Sequence, residues 1–300
     1  MYVVMGATGN TGRVVAERLL AEGKQVRVLG RDIDRLTQLT DAGAEAFAID
    51  ITNPALLTQA FSGATAAYVL IPPSMTSNDY RAEQDRHSQA IASAIESARV
   101  DHVVVLSSVG ADKESKTGPV VGLHNLELAF NRISTLNVLH LRAAYFMENT
   151  LAQVNTIKSM GFSAGPLHGD LKIPMIATRD IGEAAAQELS RLDFKHHQTR
   201  ELLGQRDLSM NEVAAILGEA IGKPDLKYIY LEDNQVRPAM IRMGMSENVT
   251  NLILEMASAL NSRHMTALEP RSEKNTTPTS FGTFAREVFA PLFKGKSTRA

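Results

Sequence analysis

The sequence predicts an α/β fold, because strand-like and helix-like segments alternate through its first half. The 300 residues begin with an apolar, β-prone run at 2–5, a glycine-rich turn at 6–12 and a stretch with apolar residues at helical spacing. Strands that alternate with helices form a parallel sheet covered on both faces. Right-handed crossovers then make that sheet a doubly wound, Rossmann-type sheet.

Six strands are predicted in the first half, each followed by a turn signal or a helix. Asn53-Pro54 opens one helix, because proline is favoured in the first helical turn. Pro72-Pro73 stops the fourth strand. The predicted strands are residues 2–5, 25–29, 45–49, 66–71, 103–106 and 138–141. Of the predicted helices in this half, a long one ends near residue 98 and the last one covers about 124–133.

The second half predicts shorter strands among helices. Ser209 and Glu212 form a capping box that opens a helix to about residue 221. Other strand-like pieces are 172–176, 201–203 and 226–230, further helices are 240–243, 252–260 and 281–293, and 271–279 is a polar linker. We therefore expect an NAD(P)-binding Rossmann domain over 1–150. A smaller α+β C-terminal lobe over 151–300 is expected to form the substrate cleft, with some interleaving onto the first domain.

Composition narrows the chemistry. A net charge of −2 gives no field that would recruit nucleic acid or an anionic membrane, and no apolar run approaches the roughly 18 residues of a membrane-spanning helix. The absence of cysteine removes disulfides, thiolate nucleophiles and cysteine metal sites, and we expect no metal. Met1 lies directly before the first strand, so we expect no signal peptide. Together with the absence of cysteine, this predicts a cytoplasmic location. We further expect a monomer or homodimer.

The glycine-rich turn predicts a phosphate-binding site. Its glycines allow a tight turn, close approach of the backbone to a pyrophosphate and close packing of the next helix. The free N–H groups at the start of that helix attract negative charge. The residues expected to contact the nucleotide are Gly6, Thr8, Gly9, Asn10, Thr11 and Gly12.

Residues at the ends of the following strands predict which dinucleotide binds. Arg31 follows the second strand, and its permanent planar cation suits a 2′-phosphate, so we expect NADP(H). In the alternative, Arg31 only pairs with surface carboxylates and Asp32 meets the ribose. Asp50 and Ile51 are expected to flank the adenine, and the segment Ile71-Pro72 to line the route to the nicotinamide.

Motifs across nearly the whole chain resemble the NmrA-like branch of the atypical short-chain dehydrogenase/reductase superfamily. The glycine turn and the segment Arg142–Asn149 carry the most specific part of this resemblance. Ser107-Ser108-Val109-Gly110, and His124 followed by Glu127, are similar to the end of its fifth strand and to its next helix. The chain departs from the wider superfamily in one respect. It has no tyrosine followed four residues later by lysine, and His124 and Leu128 occupy the approximate positions.

The resemblance implies an NADPH-dependent reductase of quinones or similar electron-poor acceptors. Ser107 or Ser108 would touch the nicotinamide side, and His124 would orient the nicotinamide ribose or donate a proton. Tyr145 is the second catalytic candidate, and Phe146 and Asn149 would line the substrate cleft. The runner-up is a redox sensor that binds NADP(H) and regulates a protein partner without turnover. A third alternative is a carbonyl, imine or ether reductase with a relocated acid.

Overall fold

The computed structural model describes residues 1–295. Its first half contains six strands and five helices. The strands are β1 (Tyr2–Val4), β2 (Val26–Gly30), β3 (Glu45–Ala48), β4 (Ala66–Val69), β5 (His102–Ser108) and β6 (Asn137–Ala143). The helices are α1 (Asn10–Ala21), α2 (Thr37–Asp41), α3 (Pro54–Phe61), α4 (Tyr80–Ala98) and α5 (Val120–Asn131).

The second half contains six short strands and seven helices. The strands are β7 (Tyr145–Phe146), β8 (Ser163–Gly165), β9 (Ile173–Ile176), β10 (His197–Leu202), β11 (Asp207–Leu208) and β12 (Tyr228–Tyr230). The helices are α6 (Gln153–Met160), α7 (Thr178–Arg191), α8 (Met210–Ile221), α9 (Asp233–Arg242), α10 (Glu247–Asn261), α11 (Phe281–Phe284) and α12 (Ala290–Phe293), with a π-helical turn, Ala285–Phe289, between the last two.

The central sheet confirms the predicted Rossmann-type fold. Its seven strands are all parallel, in the order β3-β2-β1-β4-β5-β6-β10. Chain order reverses between β1 and β4, and ligands of such sheets bind at this switch point, beyond the carboxyl ends of the strands.

Each face of the sheet has its own core. Val104 of β5 packs with Val15 of α1 and Ile181 of α7 on one face. Its neighbour Val105 packs with Ile95 of α4 on the other. Successive residues of a strand point to opposite faces, so one apolar run fills both cores.

The seventh strand is a part of the second half that returns to the main sheet. The strand-like piece at 201–203 overlaps the end of β10, which begins at His197 and pairs with β6. Its first residues are exposed, since β10 is an edge strand. This polar beginning hid the strand from sequence patterns.

Apart from α7, which packs on the main sheet beside α1, the rest of the second half forms the α+β lobe. It holds a three-stranded sheet, β11-β9-β7, and the pair β12-β8. Phe281, Phe284 and Phe289 of the C-terminal helical segment are buried in the same cluster as Val213 and Leu217 of α8. The C-terminal segment therefore completes the core of the lobe.

Two helices of the lobe are longer than the sequence patterns indicated. The pattern at 240–243 marks only the end of α9, which contains Pro238, and the pattern at 252–260 lies inside α10. Among residues 1–295, no helix is both long and apolar enough to cross a membrane. The same residues contain no group of three or more acidic or histidine side chains that could hold a metal ion.

Candidate functional site

A continuous cavity of about 1260 Å³ runs from the glycine-rich turn into the C-terminal lobe. At one end it is lined by the turn after β1 and by residues that follow β4. In its middle are the ends of β5 and β6. At the other end are residues of β8, α8, β12 and α10. The cavity therefore lies at the carboxyl ends of the strands and between the sheet and the lobe.

The glycine-rich turn has the geometry of a phosphate cradle. Gly6 has a φ of +64°, a conformation that side chains rarely adopt. A Cβ atom at Gly12 would lie 2.5 Å from the carbonyl oxygen of Gly6, so α1 can approach the turn only because residue 12 lacks one. Gly9 is the N-cap of α1 and provides no side-chain cap, which leaves N–H groups of the first turn available to an anion.

Arg31 lies at the edge of this cavity, directly after β2, with its side chain exposed. Asp32 does not line the cavity, and its Oδ1 accepts a hydrogen bond from the backbone N–H of Asp34 at 3.0 Å. Hydrogen bonds from Thr52 lower the pKa of Asp50, and the nearby cationic charges of His87 and Arg31 act in the same direction. After β2, the Arg31 guanidinium is thus available to a ligand, whereas the Asp32 carboxylate is hydrogen-bonded within a turn.

A buried network fixes Ser107 at the middle of the cavity. The Ser107 hydroxyl donates to Oε1 of Glu127 at 2.5 Å. Arg142 donates to both oxygens of the same carboxylate, at 3.0 and 2.6 Å. The pKa of Arg142 is raised, mainly because of this hydrogen bond to Glu127. Because its only proton is donated to Glu127, the Ser107 oxygen can act only as an acceptor towards a ligand.

Tyr145 and Asn149 form a polar pair in the cavity wall. They bracket the start of the 3₁₀-helical turn Met147–Ala152, and both line the cavity. Burial raises the pKa of Tyr145 to about 12, and a hydrogen bond with Asn149 partly opposes this. The phenol is therefore neutral at physiological pH and can donate a hydrogen bond.

His124 lies on α5 but does not line the cavity, although its neighbour Leu123 does. The Nδ1 atom of His124 is 2.8 Å from the carbonyl oxygen of Ala111, so this nitrogen carries a proton and donates it. Leu128, one turn further along α5, is exposed. The helix that carries the tyrosine–lysine pair in typical members of the superfamily thus presents neither a phenol nor an ammonium here.

Most of the predicted site residues share this cavity. Those in its wall are Gly6, Thr8, Gly9, Asn10, Thr11, Arg31, Ile71, Pro72, Ser107, Ser108, Tyr145, Phe146 and Asn149. Four predicted residues lie outside the wall: Gly12, Asp50, Ile51 and His124. Gly12 acts through the packing of α1, and Asp50 lies near Arg31. Ser108 donates to the carbonyl oxygen of Val109 at 2.9 Å.

Several wall residues were not predicted. Tyr228 and Gln153 come from short elements of the lobe and Lys172 from the loop before β9, and no local motif marks them. Of four methionines that stand out in the second half of the sequence, Met240, Met245 and Met256 line the cavity, whereas Met243 is exposed. Their helical spacing favoured a core role in the sequence, with an adaptable pocket for flat aromatic ligands as the alternative. The structure places these three in the cavity wall.

Comparison with known proteins gives relatives of similar length. The chain is 28% identical over 243 residues to a (4-alkanoyl-5-oxo-2,5-dihydrofuran-3-yl)methyl phosphate reductase of Streptomyces griseus, covering 80% of each protein. It is 25% identical over 285 residues to an oxidoreductase of Bacillus subtilis, covering 90% of this chain and 91% of the relative.

Solved structures share the fold at low identity. The NADPH-dependent quinone oxidoreductase of Escherichia coli, solved with NADPH, is 21% identical with a TM-score of 0.82, covering 96% of this chain and all of the other. NmrA, a negative transcriptional regulator solved with NADP, is 18% identical with a TM-score of 0.72, covering 98% and 97%. The sequence profile of the NmrA-like family matches residues 2–279. The chain therefore belongs to the NmrA-like family, as its motifs predicted.

Proposed function

We propose that this chain is an NADPH-dependent oxidoreductase that transfers hydride to a quinone-like or similarly electron-poor small molecule. The observation that carries this proposal is the single cavity that joins the glycine cradle and Arg31 to the Tyr145–Asn149 pair. A dinucleotide bound on the cradle would extend along this cavity towards that pair. Relatives of similar length that are reductases or oxidoreductases support the same conclusion.

The residues present fit NADP(H). The cradle accepts a pyrophosphate only because Gly6 and Gly12 lack side chains. Arg31 would offer its guanidinium to a 2′-phosphate, whereas the carboxylate of Asp32 accepts a hydrogen bond from the backbone N–H of Asp34. Ser107 would accept a hydrogen bond from the nicotinamide carboxamide. The pyrophosphate, the 2′-phosphate and the nicotinamide carboxamide would thus each meet a group of matching chemistry.

The protein's part in the reaction is to position the acceptor and exclude water. When bound, NADPH supplies a hydride, which carries two electrons to the acceptor. A quinone then holds the negative charge on its oxygen as a delocalised phenolate, and one further proton completes the hydroquinone. Neutral Tyr145 can donate a hydrogen bond to that oxygen, with Asn149 holding the phenol. Because the anion is stable, the proton can follow from water while Tyr145 keeps its own proton and its hydrogen bond to the oxygen.

The same reasoning explains how the site works without a tyrosine–lysine pair. An alkoxide needs a strong acid at the moment of hydride transfer, whereas a phenolate-type anion does not. His124 stays a candidate for orienting the ribose or relaying a proton through its second ring nitrogen. Its position outside the cavity wall favours Tyr145 as the group closer to the acceptor.

A redox sensor that binds NADP(H) without turnover is the second candidate. Two observations favour the sensor. Leu128 stands where typical members of the superfamily have lysine, and the fold is similar to that of NmrA, a transcriptional regulator solved with NADP. In that case the ligand-dependent signal would pass to a protein partner. The cytoplasmic location and the monomeric or homodimeric state inferred from the sequence stay predictions.

One experiment separates the two candidates. Oxidation of NADPH is followed by its absorbance with a panel of quinones, with NADH in parallel, and cofactor binding is measured by calorimetry. Saturable turnover that favours NADPH supports the reductase. Tight binding of NADPH with no oxidation by any quinone contradicts the reductase and supports the sensor.

A further inference from the structure

One part of the cavity wall in the lobe is apolar, next to polar wall residues such as Gln153 and Lys172. Four side chains of this apolar part face the cavity although they are almost inaccessible to solvent: Leu167, Met210, Val213 and Leu260. They pack in one hydrophobic cluster of the lobe. The Tyr228 hydroxyl nearby donates to the carbonyl oxygen of Leu167 at 2.9 Å, so this polar group is already satisfied. Such a space favours a nonpolar ligand group, because water there would find few partners.

The apolar wall is elongated along α10. Residues at positions 253, 256, 257 and 260 line the cavity, which is the spacing of one helical face. Seven residues of helix rise about 10 Å, so this face is nearly two turns long. Met256 in its middle can adapt its rotamer to a flexible ligand.

The proposed reacting end and the apolar wall belong to one hydrophobic cluster. Tyr145, Tyr228 and Met256 all pack against the cluster that holds Leu260 and Val213. Tyr145 also forms a hydrogen bond with Asn149, and both residues line the cavity. A ligand whose oxygen reaches Tyr145 would therefore direct any attached substituent along α10.

We propose that the acceptor carries an unbranched alkyl chain that lies along α10 and ends between Leu260, Met210 and Val213. This proposal rests on the proposed function in one respect, namely that the head group of the ligand is an electron-poor carbonyl compound held at Tyr145. A flexible chain suits this wall because it is two helical turns long and lined by aliphatic and methionine side chains.

The test measures affinity as a function of chain length. A series of 2-alkyl-1,4-naphthoquinones, from methyl to heptyl, is titrated by calorimetry into the protein loaded with NADP+, so that no reduction occurs. Burial of each methylene gains about 0.8 kcal/mol, which tightens Kd about fourfold per methylene until the chain reaches Leu260. An affinity that does not change with chain length would overturn the proposal.

Two neighbouring residues of α10 provide a matched pair of variants. Ala257 lines the cavity, whereas Ser258 is exposed. Ala257→Leu should flatten the dependence of Kd on chain length, and Ser258→Leu should keep it. Leu260→Ala should move the plateau to longer chains, which tests the same space without adding volume. Binding of NADP+ by each variant checks that it is folded.

Turnover with NADPH is measured separately and distinguishes the two proposals. Chain-dependent affinity without any NADPH oxidation would contradict the reductase function and leave the chain-binding space supported. Reduction of the methyl compound with equal affinity for all chain lengths would support the reductase and overturn the chain-binding space.

Discussion

Arg142 on β6 and Glu127 on α5 form a bidentate ion pair whose side chains are only 13% and 6% exposed. The pair ties α5 to the carboxyl end of the sheet, and through Glu127 it also holds Ser107. A single carboxylate thus links a helix and two strands beside the cavity.

Glu127→Gln should lower the free energy of unfolding by about 3–5 kcal/mol, because it leaves the Arg142 cation without its counter-charge in a buried place. Denaturant unfolding with an unchanged m-value measures this. Glu183→Gln is the matched control, since the pair Arg18–Glu183 is exposed and its loss should cost no more than about 1 kcal/mol. Equal losses in both variants would contradict the structural role of the buried pair.

Arg31→Ala should raise KM for NADPH by about tenfold to hundredfold, because one charge-assisted interaction with the 2′-phosphate is lost. KM for NADH should stay unchanged, since NADH has no 2′-phosphate. Arg191→Ala, an exposed arginine at the far end of α7, serves as the control. A similar rise for both cofactors would show that Arg31 does not read the 2′-phosphate.

Tyr145→Phe should reduce kcat with quinones by about tenfold, because the acceptor oxygen loses a hydrogen-bond donor. The pKa of about 12 keeps this phenol protonated up to pH 10, so Tyr145 should cause no alkaline loss of rate between pH 7 and 10. Tyr2→Phe makes the same change outside the cavity wall. An alkaline decline in the native enzyme that disappears in Tyr145→Phe would contradict the raised pKa.

His140 should destabilise the fold as the pH falls. Burial lowers the pKa of this histidine to about 4, from 6.5 in the unfolded chain. Its Nε2 donates to Asn131 at 2.9 Å, and its Nδ1 is buried without a partner. The unfolded chain therefore binds an extra proton between about pH 6.5 and 4, and stability is lost in that window.

The expected contribution of His140 is a loss of about 2 kcal/mol between pH 7 and pH 5. Unfolding free energies of the native chain and of His140→Gln across this range measure it, and the variant should show the smaller dependence. The exposed His264 provides the control variant His264→Gln. Parallel pH profiles for the native chain and His140→Gln would contradict the low pKa.

The sequence allowed prediction of those parts of the site that follow from local patterns. The turn around Gly6, the position of Arg31 after β2 and the segment that holds Tyr145 and Asn149 each lie within a few residues of a strand end. Parallel strands bring such ends together at one edge of the sheet, so local motifs were sufficient there.

The other parts of the site depend on contacts between segments that are distant in the sequence. Tyr228 meets the cavity because β12 pairs with β8, and Met256 does so because α10 packs over Gly118. The direction of His124 depends on its contact with Ala111 across a loop. Neither spacing nor residue type in one segment indicates such pairings.

The order in which the chain builds its sheet has a consequence for synthesis on the ribosome. The helix that carries the phosphate cradle, α1, packs against α7, and β6 gains its outer neighbour only when β10 is added. A nascent chain that has emerged only as far as β6 still exposes a hydrogen-bonding edge and the apolar face of α1. We therefore expect the nucleotide site to form late, after much of the lobe has been synthesised. We also expect that a chain cleaved between β6 and β10 would keep an open sheet edge and would tend to aggregate.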